Sequence, residues 1–210
     1  MWTDQYTRRM ATLPRTERGR RTRERLVRAA AELFRAQGVR ATGVDDVLER
    51  AECGKSQLYH YFDGKADLVA AVLDHQLDCL LDGQREHLAE LTSWAGIERW
   101  LAALPGVFAG PTGVAACPLG ALAAELAGTD EDVRHALVAA FDRWSTPLAE
   151  GLAALRDRGE LAADADPARL ARATIGALQG GLLMARTYED PQALSDALDG
   201  AYAGLRAFAR

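Results

Sequence analysis

Little in this 210-residue chain invites a membrane, a secretory route or a disulfide framework. Its longest apolar runs, such as "LVAAVL" and "GLAAL", fall far short of the roughly 20 residues that a helix needs to cross a bilayer. The first ten residues, "MWTDQYTRRM", have no apolar core of the kind a signal peptide requires, so a cytoplasmic location is expected. Cysteine is scarce. Cys53, Cys79 and Cys117 are odd in number and show no CxxC spacing, which suggests neither disulfides nor a zinc site. β-Branched runs are few and no segment alternates as a strand should, while Ala and Leu dominate and favour helix. What is present, 49% apolar and 26% charged residues, is an ordinary globular composition rather than a disordered one. The length suits one large or two small domains.

Charge is present but unevenly spread. The whole chain carries −5, which taken alone argues against a nucleic-acid partner. Residues 1–65, however, hold 14 Lys and Arg against 9 Asp and Glu, and the remainder holds 11 against 21. Nine arginines fall between Arg8 and Arg28, opposed there only by Glu17 and Glu24. A basic N-terminal module on an acidic body is the asymmetry a DNA-binding protein would show, although a solvated helix face would show it too.

Residues 1–15 lack helical periodicity and read as a flexible, arginine-bearing arm. From Thr16 to Gln37, the positions of Leu26, Ala30, Leu33 and Phe34 follow helical spacing, and Gly38 stops the helix with Val39 placed for a Schellman-type contact. Thr42 is expected to cap the next helix, with Asp45 three residues on in a variant capping box. That helix is short because "ECG" interrupts it. A second short helix, Lys55 to about Phe62, turns Leu58, Tyr61 and Phe62 inward. Two short amphipathic helices joined by a tight turn, with a longer one across them, make a helix-turn-helix. Beyond it, helices are expected from about Lys65 to Leu81 and at about 96–109, 118–127, 131–158, 167–187 and 191–208. Pro118, Pro167 and Pro191 stand at first-turn positions, and Asp166 and Asp190 stand as caps. The expected architecture is all-α: a head over residues 16–64 and a helical body over 65–210.

The stretch "CGKSQLYHYFDGK" contains Gly-Lys-Ser, the tail of a phosphate-binding loop. A P-loop needs a glycine five residues before that pair and a strand before the glycine; here Glu49 holds the position, inside a helix. The four histidines, His60, His75, His87 and His135, form no HExxH pattern, and no nucleophile has a recognisable partner set. Neither a metal, a cofactor nor an enzymatic activity is expected. With Leu58, Tyr61 and Phe62 inward, Lys55, Ser56, Gln57, Tyr59 and His60 occupy the outer and N-terminal surface. A helix entering the major groove leads with its N-terminal residues. Gln57 suits an adenine edge and Ser56 permits close approach. Lys55, Tyr59, His60, Lys65 and the hydroxyl of Thr42 are placed to meet phosphates.

The stretch "ATGVDDVLERAECGKSQLYHYFDGKADLVAAVL" resembles the DNA-binding head of the TetR family of bacterial transcriptional regulators (TetR/AcrR type). Its most specific part, "GKSQLYHYFDGKADL", is similar to the family's Lys-x-x-Leu-Tyr-x-Tyr-Phe-x-x-Lys-x-x-Leu pattern, and the likeness covers about residues 20–75. Glu52 departs from it, standing where the family often places Gly in the turn. The resemblance implies a body that dimerises and binds a small molecule, hence a repressor released from a palindromic operator by a lipophilic ligand. "CPLGALAAEL" and "ALQGGLLMART" look like segments of one drug- and metabolite-responsive branch.

Within the body, Gly176 and Gly180, with Leu194, Leu198 and Leu205 of the last helix, are expected to form a four-helix seam with a second copy, intrachain packing being the alternative. Trp100, Phe108, Trp144, Met184 and Tyr188 are candidates to line an apolar cavity, though aromatics at helical spacing are more often plain core. Glu125 and Gln179 are candidate polar anchors for such a cavity. Cys117, just before Pro118, stands where a helix dipole would lower a thiol pKa.

Overall fold

The computed structural model describes residue 14 and residues 16–110, 113–114, 116–128 and 131–210. The arm expected over residues 1–15 lies outside these apart from Pro14. The fold is all-α, with ten helices and one two-residue hairpin among the described residues. Packing divides them into two units. The first holds the residues up to Gln76 and those within Glu125–Ala136; the second holds Leu77–Ala124 and Leu137–Arg210.

The first unit begins with α1, Glu17–Gln37, whose N-cap Thr16 accepts the Gly19 amide at 3.1 Å. Leu26, Ala30 and Phe34 are buried as the spacing predicts. Gly38 ends the helix at φ 83°, its amide donating to the Phe34 carbonyl at 3.0 Å. Val39 is buried, but the backbone bond of a Schellman cap does not form, because its amide donates instead to the Glu125 carboxylate at 2.9 Å.

The next helix, α2 (Val44–Ala51), corrects the expectation for Thr42. Its N-cap is Gly43, whose amide donates to the Asp46 carboxylate at 2.7 Å. Thr42 is 1% exposed, and its hydroxyl donates to the Gly38 carbonyl at 2.7 Å while accepting from Gln37. A hydroxyl so placed braces the α1–α2 turn; it does not meet a phosphate.

Glu52 then adopts the left-handed conformation, φ 52° and ψ 48°, and turns the chain into α3, Lys55–Tyr61. An L residue pays about 1–2 kcal/mol there, more than glycine's added unfolded-state entropy of about 0.5–1 kcal/mol. Glu52→Gly is therefore expected to raise stability by roughly 0.5–1 kcal/mol, read as a higher denaturation midpoint at unchanged m-value.

Helix α4, Lys65–Gly83, leads from the first unit into the second. There follow α5 (Arg85–Leu88), α6 (Trp94–Val107), the hairpin β1 (Ala109–Gly110) and β2 (Gly113–Val114), α7 (Pro118–Leu126) and α8 (Glu131–Asp157), then α9 (Pro167–Thr187) and α10 (Gln192–Arg206). The hairpin was not foreseen; two residues per strand are too few to leave an alternating pattern. Asp166 caps α9 through the Arg169 amide at 3.1 Å, with Pro167 in the first turn. Asp190 accepts the Gln192 amide at 2.9 Å where α10 begins.

Helices α9 and α10 pack closely because Gly181 lacks a side chain. A Cβ there would stand 2.9 Å from that of Ala197 and 3.1 Å from a Leu194 methyl. Leu194, Leu198 and Leu205 are at most 2% exposed within one chain. They are core residues of α10, not an open seam, because that face is already spent on the protein's own helices.

Candidate nucleic-acid interface and body site

Helix α3 earns its position through Leu58, fully buried, and Phe62, which follows it and is 2% exposed. Arg23 of α1 stacks its guanidinium over the Phe62 ring, 5.2 Å from the centroid. With that side anchored, Lys55, Ser56, Gln57, Tyr59 and His60 are all exposed, Tyr59 at 57%. Lys65, the first residue of α4, is half-buried. The five residues of α3 lie on its outer and N-terminal surface, as their spacing predicts.

Two of them are not idle. Gln57 turns its side-chain oxygen back to accept the Gly54 amide at 2.9 Å, which orients its amide group at the leading end of the helix. Lys55 pairs with Asp45 of α2 at 3.0 Å, and the hydrogen bond its ammonium donates to that carboxylate, then the carboxylate's charge, raise the lysine pKa. A phosphate would have to compete with Asp45 for this ammonium. The pair joins two helices, so no local spacing announces it.

Basic residues flank the helix but are partly neutralised. Arg20 and Arg21 share Glu17 at 2.9 and 3.0 Å, and the Arg20 bond chiefly lowers that carboxyl's pKa. Arg25 donates to the Cys53 thiol at 3.3 Å. Arg25, Arg28 and Arg50 line an open groove of about 270 Å³ between α1 and the end of α2, where Glu32 pairs with Arg50 and Glu52 adds a second carboxylate. The head thus offers a positive but structured surface rather than a bare cation patch.

The body residues separate into three groups. Trp100 and Phe108 are buried, and the Trp100 indole donates to Gln84 at 2.8 Å, so Trp100 is satisfied core. Trp144 is 1% exposed yet its indole N–H has no partner among the described residues, whereas the Gln179 side chain has the Cys117 thiol beside it. Such donors are rare in folded interiors because each costs about 1–3 kcal/mol. Met184 and Tyr188 are 41% and 66% exposed, on the outside of α9, so neither lines an enclosed cavity.

Two further expectations are overturned. Glu125 is no cavity anchor, because its carboxylate is occupied by the amides of Val39 and Arg40 in the first unit. Nothing in the sequence connects positions 85 residues apart. Cys117 is buried, and burial raises its thiol pKa against the smaller lowering effects of the Gly120 amide, Gln179 and the Leu119 amide. Desolvation beats the helix terminus, so Cys117 is held as a thiol.

Among the described residues no group of His, Cys, Asp and Glu could hold a metal ion, and no helix is long and apolar enough to cross a membrane.

Comparison with known proteins agrees with this arrangement. Residues 26–72 match the family model for bacterial regulatory proteins of the tetR family, and residues 94–201 match that for the tetracyclin repressor-like C-terminal domain. An uncharacterized HTH-type transcriptional regulator in the lacX 3′ region of Lactococcus lactis is 31% identical over 191 residues, covering 86% of this chain and 91% of that protein. The transcriptional regulator AcuR of Cereibacter sphaeroides is 31% identical over 80% of this chain and 78% of its own. Among solved structures, the regulatory protein TetR from Rhodobacter sphaeroides superimposes with a TM-score of 0.68 at 27% identity, over 86% of this chain and 96% of that one. Reduced Escherichia coli NemR shares the fold, with a TM-score of 0.74 at 22% identity over 90% of this chain and 98% of its own. With a head and a body that both match, the chain belongs to the TetR family of DNA-binding helix-turn-helix transcriptional regulators, which are not enzymes.

Proposed function

We propose that this regulator is a repressor, that it binds a palindromic operator as a twofold dimer, and that an apolar ligand in its body releases it. The observation that carries the reading is the free outer side of α3, where Ser56, Gln57, Tyr59 and His60 are exposed while Leu58 is fully buried. Gln57 and Ser56 read bases; Lys55, Lys65, Tyr59 and His60 fix the register on phosphates.

The second copy meets this one through the outer faces of α9 and α10. On α9, Gly176 and Gly180 have open space around them, and Leu183 and Met184 on the same face are 64% and 41% exposed. On α10, Gly200, Ala203 and Gly204 are exposed at helical spacing, small enough for a partner helix to approach closely. A contiguous apolar stripe of this kind marks an interaction surface.

The ligand binds in the body with the Trp144 indole as a hydrogen-bond donor, since that buried N–H has no acceptor among the described residues. Release is a population shift. A dimer of helix-turn-helix heads docks two recognition helices about 34–36 Å apart, and a ligand favouring another spacing removes that register. Full reversal takes about 5.5 kcal/mol of differential affinity between the two states.

Selection of bound duplexes from a random pool tests the DNA reading. The expected product is an inverted repeat, and Gln57→Ala is expected to relax one base-pair position in each half-site by about 1–3 kcal/mol. An unsymmetrical product would reject the twofold dimer, and an unchanged preference would remove Gln57 as a reader.

A further inference from the structure

Glu125 lies in the last turn of α7, far along the chain, yet it is built into the head. One carboxylate oxygen accepts the Val39 amide at 2.9 Å and the other the Arg40 amide at 2.6 Å. The Glu125 carbonyl also accepts the Arg40 guanidinium at 3.3 Å. Gly38 makes room for this, because a Cβ there would stand 3.2 Å from the carboxylate. Both amides belong to the short segment between α1 and α2. On its other side the same segment is braced by the buried Thr42 hydroxyl bonding the Gly38 carbonyl.

We infer that Glu125 is a positioning residue for DNA recognition: its carboxylate holds the α1–α2 turn, and through it the start of α2, at the angle a duplex requires. The physical reason lies in the groups it satisfies. Val39 is 3% exposed, so its amide has little access to water and depends on a protein acceptor. A carboxylate bridging two consecutive amides makes two charge-assisted bonds and fixes the direction of the peptide planes between them. That segment leads directly into Gly43, whose amide starts α2 by bonding Asp46. Turning the segment turns α2, and α3 packs in the same head. This extends the operator reading by naming a residue outside the DNA surface that sets affinity.

The test compares full-length wild type with Glu125→Gln and Glu125→Ala, measuring amide exchange and affinity for a duplex selected by the wild type. Glu125→Ala is expected to speed exchange at Val39 and Arg40 at least tenfold and to weaken duplex binding roughly tenfold. Glu125→Gln, which keeps one acceptor oxygen, should fall between the two. Faster exchange at those amides with wild-type affinity would overturn the inference, as would exchange rising uniformly through α1 and α8 with no partial rescue by Gln. Unchanged exchange at Val39 and Arg40 in Glu125→Gln overturns it whatever DNA is bound. A wild type that selects no duplex would instead strike the operator reading.

Discussion

Raising salt from 50 to 200 mM is expected to weaken binding to a selected duplex by about 10³–10⁴-fold. The size follows from counting cations. Lys55, Lys65 and one or two arginines of α1 per protomer give a dimer about six to eight neutralised phosphates, each releasing counterions with a slope near −0.9 in log–log form. Two details of the head bear on it. Lys55 is paired with Asp45 at 3.0 Å in the free protein, so part of its gain on meeting phosphate is offset by the pair it leaves. Arg20 and Arg21 are tied to Glu17 in the same way. All these pairs are exposed and weak, so they shave the slope rather than abolish it. Titrations by fluorescence anisotropy at four or five salt concentrations would measure it, and a flat response would reject phosphate contact as the main source of affinity.

The second large effect concerns the outer face of α9. Leu183→Glu is expected to convert the dimer to monomer at micromolar concentration and to cost at least a hundredfold in duplex affinity. Leu183 is 64% exposed within its own chain, so a charged residue there hardly disturbs the monomer. In a seam between copies, the same carboxylate would be buried without a partner and would face its twin across the axis. Losing the second head removes the linked half-site, a factor of about 10²–10⁴ in avidity. Sedimentation velocity and a duplex titration read the two effects separately. A Leu183→Glu protein that remains dimeric would move the seam off this face. Deleting α10 would be a poorer experiment. Leu194, Leu198 and Leu205 are core, and their removal would unfold the unit before it reported on assembly.

How much of this was legible beforehand depended on the range of the interactions. The helices, the cap at Asp166 and the inward Leu58 and Phe62 of α3 are written in local spacing, and the structure follows them closely. Local reasoning slipped at Thr42, where two adjacent residues both suit a cap. Gly43 took the role because Asp46 stands three residues after it and Thr42 was drawn inward to Gly38. The candidates that depended on long-range contacts fared worse. Glu125 looked like a polar anchor in an apolar helix, and only the fold brings the α1–α2 turn to it. Leu194, Leu198 and Leu205 have the spacing of any buried stripe, and periodicity cannot tell a chain's own helix from a partner's. Cys117 was judged by its helix terminus, and burial, invisible in the sequence, proved the larger effect. Met184 was read as a cavity residue and Leu183 not at all, because exposure on the outside of α9 is equally invisible in the sequence.

The central claim is that the outward side of α3 lies against a duplex. Amide-shift mapping by solution NMR, with a selected duplex added to the full-length protein, addresses it directly. The largest shifts are expected at Lys55, Ser56, Gln57, Tyr59 and His60, with smaller ones at Gly43 and Lys65. Tight binding of the same duplex that leaves those amides unmoved and shifts residues of α9 or α10 instead would contradict it.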